Sequence, residues 1–383
     1  MYVERELNIR FKKLLQIYRI IAVVGPRQSG KTTFLKAHLP ENAGHLLFDD
    51  PDIRMIFDDD IKKFEQQYIE GKELVILDEV QYANSPGQKL KYLADVGRKI
   101  WITSSSEILL SKNVLAFLVG RVSILRLYPF SITEFLKAKN INITTRQIIE
   151  REIEEHIRYG GYPKVVITSD VELKKIILKD LYETMILKDI ARAFSISDIN
   201  SLEKFTEYLA INNSGQLSYD SIAQTIKISF QTIKKYLDAM EKSYFITVIR
   251  PFFTNKNKEL SKQPKIYMLD TGLRNIIVKN FDVDGKNFEN YVLTELIKSG
   301  YTPKYWRTKT KTEVDFIIER DNKIIPIEVK LTETKTGKGL RSFIEKYKPE
   351  RAYIVILKGE NKTLRANGCK IKFINVIELK KEI

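Results

Sequence analysis

The residues with the clearest chemistry lie between Gly25 and Thr32, where the chain reads Gly-Pro-Arg-Gln-Ser-Gly-Lys-Thr. The spacing G-x-x-x-x-G-K-[ST], after an apolar run and before a predicted helix, is that of a P-loop. Its glycines let backbone N–H groups face phosphate oxygens, and the N-terminus of the next helix adds partial positive charge. Lys31 would reach the β- and γ-phosphates, and the Thr32 hydroxyl would ligate Mg²⁺. The residues expected to contact ATP, or a related triphosphate, are Gly25, Pro26, Arg27, Gln28, Ser29, Gly30, Lys31, Thr32 and Thr33.

Two acids follow a later apolar run and would complete this site. The run Leu74–Leu77 ends in Asp78 and Glu79. Asp78 is expected to lie beside Mg²⁺ and to act on it directly or through a water, and Glu79 to polarise the attacking water. A strand that merely ends in two acids is the alternative, and it becomes the minor one when a P-loop is present.

A sensor and an arginine are further candidates in the same part of the chain. The run Ile100–Thr103 ends in Ser104, Ser105 and Ser106. A hydroxyl there, with Ser104 as the chosen candidate, could hold the water or the γ-phosphate; an ordinary serine-rich loop is the competing interpretation. Arg121 is either an arginine finger or the partner of a structural ion pair, and the sequence favours neither.

A separate constellation lies near the C-terminus. Asp315 and Glu328 fall on two predicted strands that read as neighbours, and Lys330 shares a strand face with Glu328 because side chains repeat every two residues. With Glu289 from the preceding helix, these carboxylates could bind Mg²⁺ and activate a water for attack on phosphate. Ordinary cross-strand salt bridging is the alternative. Basic residues that could hold a phosphate backbone nearby are Lys304, Arg307, Lys309 and Lys311.

The elements that would position the first site alternate between strands and helices. Such alternation predicts an α/β fold with a mostly parallel sheet covered on both faces, whose ligands lie at the carboxyl ends of the strands. The polar clusters described above each follow a predicted strand end. The predicted strands are Ile20–Val24, Leu46–Phe48, Leu74–Leu77, Ile100–Thr103 and Val122–Leu127.

Beyond Phe130 the pattern becomes helical and then alternates again after Pro264. Predicted helices are Ile148–Ile157, Leu173–Ile190 and Asn287–Ser299, and predicted strands are Val314–Glu319, Ile324–Lys330 and Ala352–Leu357. Domain boundaries are expected near residues 135, 200 and 275.

The stretch from Ser218 to Ile249 has the order of a winged helix-turn-helix. Ser218 would cap a first helix, and Ser229 a second one that ends near Lys242. The outward residues of the second helix, which would suit a DNA major groove, are Gln231, Thr232, Lys234 and Lys235. A winged helix used only for protein contacts or domain packing is equally compatible with this pattern.

Composition bounds the remaining options. The 383 residues carry a formal charge of +15, which could draw the chain to nucleic acid or to an acidic membrane surface, or could simply be a solvated lysine-rich surface. Cys369 is alone, so no intrachain disulfide can form, which suits a reducing cytoplasm. The three histidines lack zinc-ligand spacing, and no apolar run suggests a signal peptide or membrane helix.

Together these motifs resemble a widespread archaeal and bacterial family of AAA-type ATPases of unknown function. Its members are similar in having a P-loop module, a winged helix and a C-terminal PD-(D/E)xK nuclease-like domain. Besides the P-loop and the Leu-Asp-Glu at residues 77–79, the resemblance rests on Gly120–Val122, Pro129–Ser131, Gly160–Pro163, Pro264–Tyr267, Asp270–Leu273, Phe288–Asn290, Glu313–Phe316 and Ile327–Lys330.

The resemblance implies an architecture and roles for particular residues. Asp78 and Glu79 would be the Mg²⁺ and catalytic acids of ATP hydrolysis, and Asp315, Glu328 and Lys330, with Glu289, would form the nuclease-like core. Segments 1–135, 136–200, 201–275 and 276–383 would be the ATPase core, a helical lid or linker, the winged helix and the restriction-endonuclease-like domain.

The resulting prediction is a cytoplasmic, Mg²⁺-dependent ATPase coupled to a nucleic-acid-binding winged helix, with DNA favoured over RNA, and to a nuclease-like domain. Three hypotheses stay open. They are an ATP-dependent nuclease, a DNA-binding regulator whose nuclease-like core is catalytically silent, and a signalling or assembly ATPase with a protein partner. A homo-oligomer is also left open, and no membrane association is expected.

Overall fold

A computed structural model describes residues 2–105, 114, 117–142, 145–255, 259, 262–308, 310–332 and 335–383. The chain divides into two compact units. The first unit comprises Met1–Phe130, Thr184–Ser197 and Lys242–Tyr244, and the second comprises Ser131–Glu183, Asp198–Glu241 and Phe245–Ile383. Because a compact unit can hold several modules, the four predicted segments stay a prediction.

A five-stranded parallel sheet forms the centre of the first unit, as the alternating pattern predicts. Its strands are β1 (Ile20–Val24), β2 (Ala43–Leu47), β3 (Leu74–Asp78), β4 (Ile100–Ser104) and β5 (Val122–Arg126). They lie in the order β2-β3-β4-β1-β5. Every residue of β1, β3 and β4 is buried, which is why these strands read as unbroken apolar runs.

The described residues of the first unit include five α-helices. They are α1 (Asn8–Leu14), α2 (Lys31–Lys36), α3 (Pro51–Asp59), α4 (Ile61–Phe64) and α5 (Pro86–Asp95). Asp50 caps α3 by accepting a hydrogen bond from the N–H of Asp52, and Pro51 occupies the first helical turn. The core between sheet and helices contains Phe11, Ile21, Val23, Phe34, Leu35, Leu74, Ile76, Trp101, Leu125 and Leu127.

Strand β2 begins three residues earlier than its apolar run predicts. The run Leu46–Phe48 suggested a short strand, but Ala43 already pairs with Leu74 of β3. At the edge of the sheet β2 is only half-buried, so apolar residues do not mark its full length.

The helices that the structure describes in the second unit occur before, between and after its strands. They are α6 (Ile132–Ala138), α7 (Arg146–Tyr159), α8 (Pro163–Ile167), α9 (Val171–Thr184), α10 (Ile199–Ile211), α11 (Tyr219–Ile226), α12 (Phe230–Lys242), α13 (Thr271–Val278), α14 (Gly285–Lys298), α15 (Lys338–Tyr347) and α16 (Val376–Glu382). Their predicted counterparts differ mainly at the ends. The exception is Leu173–Ile190, because α9 ends at Thr184 and Met185–Arg192 is a π-helical segment.

A six-stranded mixed sheet and a hairpin complete the second unit. The hairpin consists of β6 (Ile246–Ile249) and β7 (Lys265–Met268). The sheet strands are β8 (Lys304–Arg307), β9 (Glu313–Arg320), β10 (Lys323–Thr332), β11 (Arg351–Lys358), β12 (Lys362–Ala366) and β13 (Cys369–Ile374). Their order is β12-β13-β11-β10-β9-β8.

Strands β9 and β10 are antiparallel neighbours, as predicted. Asp321 and Asn322 turn the chain between them with φ values of 49° and 60°, a left-handed conformation that Asp and Asn tolerate. Ile327 of β10 pairs with Phe316 of β9. In this antiparallel register the adjacent residues, Glu328 and Asp315, lie opposite each other.

Within the part of the chain that the structure describes, none of the helices combines the length and hydropathy that a bilayer crossing requires.

Candidate functional site

The P-loop lies between the carboxyl end of β1 and the start of α2. Gly25 has a φ of +153°, and a Cβ atom placed there would lie 2.1 Å from the carbonyl oxygen of Leu127. Gly30 has a φ of +95° and precedes the first residue of α2. Both glycines are therefore required by the backbone path, one by close approach and one by the left-handed turn.

Lys31 is buried in this loop. Its Nζ donates hydrogen bonds to the carbonyl oxygens of Gly25, at 3.1 Å, and Pro26, at 3.0 Å. Burial lowers the pKa of Lys31, while the negative charge of Glu79 acts in the opposite direction. The hydroxyl of Ser29 is buried and has no hydrogen-bond partner among the described residues. A phosphate in the loop would give both groups an acceptor.

Thr32 and Asp78 bring the P-loop and β3 together. The Thr32 hydroxyl donates to Oδ2 of Asp78 at 2.8 Å, and Nε2 of His45 lies 3.2 Å from the same oxygen. The Thr103 hydroxyl of β4 donates to Oδ1 of Asp78. Burial alone would raise the pKa of Asp78, but the hydrogen bonds from His45, Thr103 and Thr32 outweigh it and hold the pKa below its usual range.

Glu79 has a backbone conformation that few residues other than glycine adopt. Its φ and ψ are 57° and 41°, in the left-handed region, and such strain is maintained only when the surroundings enforce it. Its N–H donates to the Thr103 hydroxyl at 3.0 Å. Its Oε2 accepts from the side-chain amide of Gln81 and, at 3.2 Å, from both N–H and Oγ of Ser105. The carboxylate is therefore fixed at the carboxyl edge of the sheet.

The donor set around Thr32 fits a magnesium ion bound with a nucleotide. Mg²⁺ prefers oxygen ligands and is usually held by one or two protein groups together with substrate phosphates and water. The Thr32 hydroxyl and the Asp78 carboxylate supply those oxygens next to the phosphate loop, and the ionised state of Asp78 is favoured.

Hydroxyl groups of the two neighbours of Ser104, the predicted sensor, contact the acids of β3. Thr103 contacts both Asp78 and Glu79, and Ser105 contacts Glu79. Ser104 is buried at the end of β4, and its carbonyl oxygen accepts a hydrogen bond from the N–H of Gly25. Ser106 lies outside the described residues. Strand order explains the arrangement, because β4 lies between β1 and β3.

Arg121 lies at the amino ends of the strands, whereas the P-loop lies at their carboxyl ends. It precedes β5, whose first residue, Val122, pairs with Ile20 at the start of β1. The five residues of β1, about 16 Å at 3.3 Å per residue, separate this position from Gly25. Its Nε donates to Oδ1 of Asp95 at 2.8 Å. The structural ion pair is thus the arrangement observed, and Arg121 is not placed as a finger for its own chain's P-loop.

Arg27 makes a contact that the sequence did not indicate. Its Nε lies 3.2 Å and 3.0 Å from Oδ1 and Oδ2 of Asp189, and its Nη2 lies 2.8 Å from Oδ1. Asp189 is buried in the π-helical segment Met185–Arg192, and its carbonyl oxygen accepts from the Ser243 hydroxyl at 2.8 Å. The P-loop is thus clamped to a segment more than a hundred residues away in the chain.

Arg5 also supports the loop from a distance. Its Nη1 donates to the carbonyl oxygen of Ser29 at 2.9 Å, and Nη2 donates to that of Tyr128. The guanidinium lies 4.8 Å from the ring centre of Phe130. Neither Arg5 nor Asp189 belongs to a local motif, so no sequence signal pointed to them.

The C-terminal constellation is assembled on one face of the second unit's sheet. Oδ2 of Asp315 accepts from the N–H of Val329 at 2.7 Å, and Lys330 Nζ lies 3.0 Å from Oε1 of Glu328. Oε2 of Glu328 accepts from the N–H of Gly337 at 3.2 Å. Burial and the charge of Glu289 raise the pKa of Asp315. The side chains predicted to act together therefore lie together.

The three predicted metal ligands of this cluster contact donor groups of the chain itself. Glu289 accepts at Oε1 from Tyr267, at 2.6 Å, and from Lys265, at 3.1 Å. Lys265 also forms an ion pair with Glu313. Among the described residues, no group of three or more His, Cys, Asp and Glu side chains could hold a metal ion. The metal-ligand role of Glu289, Asp315 and Glu328 stays a prediction.

The predicted basic residues are partly engaged in ion pairs. Lys304 Nζ lies 3.0 Å from Glu259 and 2.8 Å from Glu319. Arg307 lies 3.6 Å from Glu313. Lys311 is exposed, and Lys309 lies outside the described residues.

Helix α12 exposes three of the four polar side chains predicted to face outward. Gln231, Lys234 and Lys235 are exposed, whereas Thr232 is half-buried and its hydroxyl lies 3.0 Å from that of Ser229. The opposite face, with Ile233, Tyr236, Leu237, Ala239 and Met240, is buried.

Three family models match successive parts of the chain. Residues 18–136 match an AAA domain. Residues 150–284 and 284–379 match two domains of unknown function, DUF8612 and DUF4143.

Similar proteins are known from distant organisms. An uncharacterised protein of Haemophilus influenzae is 28% identical over 330 residues, which are 81% of this chain and 82% of that protein. An uncharacterised protein of Methanocaldococcus jannaschii is 28% identical over 346 residues, with 85% and 78% covered. A solved structure of a Walker-type ATPase from Pyrococcus abyssi is 16% identical with a TM-score of 0.48, covering 72% of this chain and 96% of that one. That likeness is too low to transfer a function.

The AAA-domain match and the geometry of the first unit agree with the sequence prediction of a P-loop fold. The family models that match residues 150–284 and 284–379 assign no activity to these parts of the chain. The match of residues 18–136 to an AAA domain, with the P-loop that they contain, supports an AAA-type ATPase.

Proposed function

We propose that this chain binds ATP with Mg²⁺ at its P-loop and hydrolyses it. The observation that carries the proposal is the 2.8 Å hydrogen bond from Thr32 to Asp78, because it joins the phosphate loop to the acids of β3. Bound Mg²⁺ would neutralise charge on the β- and γ-phosphates. The hydroxyl oxygen of Thr32 and the carboxylate of Asp78 would hold this ion.

Other groups of the chain bind the phosphates and orient the attacking water. The N–H groups of the loop and Nζ of Lys31 bind the phosphate oxygens, and Lys31 exchanges its contacts with Gly25 and Pro26 for them. Glu79 accepts the hydrogen bond of the attacking water and orients it in line with the γ-phosphate. Thr103 and Ser105 keep that carboxylate in place.

Steady-state ATP hydrolysis tests this proposal. The wild type should hydrolyse ATP in a Mg²⁺-dependent reaction, and Glu79→Gln should lower kcat by about 10²–10⁴-fold, as expected for loss of a group that accepts or orients the proton of the nucleophile. Glu70→Gln, at an exposed glutamate of the same unit, is the matched control and should be unchanged. Equal rates for Glu79→Gln and the wild type would exclude the assigned role.

We further propose that nucleotide turnover in the cytoplasm is coupled to nucleic-acid binding by the second unit. Support comes from the helix order α10–α11–α12 followed by the β6–β7 hairpin, which is that of a winged helix. The exposed Lys234 and Lys235 of α12 and the net charge of +15 add to it. Duplex DNA is the favoured ligand.

A gel shift at several salt concentrations tests DNA binding. Affinity should fall steeply with salt, and replacing Lys234 and Lys235 with alanine should weaken binding and flatten that dependence. Lys179→Ala, at an exposed lysine of α9, serves as the control. Absent or salt-independent binding would favour a signalling or assembly ATPase with a protein partner. Stimulation of ATP hydrolysis by single-stranded DNA, duplex DNA or RNA would identify the ligand class.

The competing hypothesis is an ATP-dependent nuclease built on Asp315, Glu328 and Lys330. It predicts that plasmid or single-stranded DNA is cut with Mg²⁺ or Mn²⁺ and that Asp315→Ala abolishes cutting. We favour a catalytically silent nuclease-like core that holds nucleic acid, because Asp315 and Glu328 accept hydrogen bonds from the chain itself. Cleavage lost in Asp315→Ala would decide for the nuclease.

A further inference from the structure

The motif Pro264–Tyr267 has no role in the proposed ATPase, yet it supplies two groups to the C-terminal carboxylates. Lys265 and Tyr267 lie on β7, two residues apart, so their side chains share one face of the strand. Both reach Oε1 of Glu289, Lys265 at 3.1 Å and Tyr267 at 2.6 Å. Glu289 on α14 is the acid that the family resemblance would make a metal ligand.

The environment of Lys265 is that of a buried counter-ion. Its side chain is only 5% exposed, and its ammonium pairs with both Glu289 and Glu313. Burying a charged group is costly unless an opposite charge lies beside it. Here the ammonium of Lys265 compensates the charges of the two carboxylates. Arg307, 3.6 Å from Glu313, adds a second positive charge beside them.

The other two carboxylates are satisfied separately. Glu328 is held by Lys330 and by the N–H of Gly337, and Asp315 by the N–H of Val329. Gly337 lies close to the same carboxylate, since a Cβ at this position would lie 2.1 Å from Oε1 of Glu328. The loop before α15 therefore closes against this carboxylate, and an incoming metal ion would have to displace several protein donors.

We infer that Lys265 is the resident cation of this cluster and takes the place beside Glu289 that a divalent metal ion would otherwise occupy. The four carboxylates thus lie beside three cationic side chains, Lys265, Lys330 and Arg307. The nuclease-like core then has a structural role, in which its charged residues hold β7, α14 and the sheet together. It does not cleave nucleic acid. This inference depends on the proposed function in one respect only, namely that the second unit holds nucleic acid.

Metal titration of the full-length chain tests the inference. In a Trp101→Phe background, fluorescence of Trp306 reports on the second unit, because Trp306 is buried in that unit's core. Without nucleotide, 1 mM Mn²⁺ should leave the melting temperature of the wild type unchanged. Lys265→Gln should melt at a lower temperature, and Mn²⁺ should raise that temperature by about 5 °C, since a ligand that binds only the folded state stabilises it.

Two further variants assign the effect. Adding Glu289→Gln to Lys265→Gln should remove the response to Mn²⁺. Lys323→Gln, which breaks an exposed ion pair with Glu350 in the same unit, should show no response.

Two results would overturn the inference. One is Mn²⁺ binding by the wild type, measured by calorimetry, that disappears in Glu289→Gln. The other is a folded Lys265→Gln that Mn²⁺ fails to stabilise. If Lys265→Gln does not fold, the wild-type calorimetry decides, and absence of Glu289-dependent binding supports the inference. Failure of ATP hydrolysis would be seen independently, because it concerns the first unit.

Discussion

The ion pair between Arg27 and Asp189 allows a sharp test of how the P-loop is held. The side chain of Asp189 is 4% exposed and that of Arg27 is 25% exposed. Removing one partner of a buried pair costs about 3–5 kcal/mol, because an uncompensated charge stays in the interior. When Asp189 is removed, the guanidinium of Arg27 can regain water, because the Arg27 side chain is already 25% exposed. We therefore expect Asp189→Ala to lower the free energy of unfolding by somewhat less than that range, about 2–3 kcal/mol.

A double-mutant cycle with Arg27→Ala isolates the pairwise contribution. A bidentate, charged contact should give a coupling energy of about 2 kcal/mol, within the range for residues in direct contact. The assay is urea unfolding in a Trp306→Phe background, where Trp101 reports on the first unit from its position in the core. This background matters because a chain with two compact units need not unfold in one step.

The same variants should change nucleotide affinity. Arg27 lies within the loop, between Pro26 and Gln28, so a free Arg27 side chain leaves the loop less well ordered before binding. Asp189→Ala should weaken ATP binding several-fold, whereas Asp59→Asn, at an exposed aspartate of the same unit, should not. A coupling energy below about 0.5 kcal/mol, the usual value for independent sites, would refute the clamp.

Three further outcomes are expected. Gly25→Ala should lose ATP binding, measured by calorimetry, because its Cβ would lie 2.1 Å from the carbonyl oxygen of Leu127; retained binding would contradict the close approach. Thr103→Val should lower kcat with little change in KM, because it removes the hydroxyl that contacts Asp78 and Glu79; an unchanged kcat would argue against that positioning. Buried Glu295 would have a raised pKa but for Lys298 and Lys380, which bring it from 4.5 to about 2. Its contribution, about 3 kcal/mol, is present above pH 4.5 and lost as the pH falls toward 2, so Glu295→Gln should flatten the acid limb of stability against pH monitored by Trp306 fluorescence.

The first unit could be predicted closely because its signals are local. The wholly buried strands β1, β3 and β4 are continuous apolar runs, and parallel strands bring their carboxyl ends to one edge. Those two facts were enough to place Asp78 and Glu79 beside the P-loop. The identity of the sensor hydroxyl depends on side-chain directions at the end of β4, which periodicity alone does not give.

Contacts between distant segments could not be predicted. His45, Asp189 and Arg5 each reach the site from elements that carry no motif of their own. Asp189 lies in a π-helical segment, where the spacing of side chains departs from the helical period that a sequence pattern detects.

The C-terminal cluster shows a different limit. Alternation in β9 and β10 places Asp315, Glu328 and Lys330 together, and the structure brings them to one face. What the pattern cannot show is that Lys265 of β7 enters the same cluster, since β7 precedes β9 by more than forty residues. Whether acids bind a metal depends on which cations the fold has already placed beside them.

Binding and hydrolysis of ATP by Lys31→Ala and Glu79→Gln, compared in one filter-binding and single-turnover experiment, test the central claim most directly. We predict that Lys31→Ala neither retains nor hydrolyses ATP, since Lys31 supplies the buried ammonium of the loop. Glu79→Gln should bind ATP with Mg²⁺ as the wild type does, and should hydrolyse it about 10²–10⁴-fold more slowly. Triphosphate binding that survives in Lys31→Ala would contradict the account.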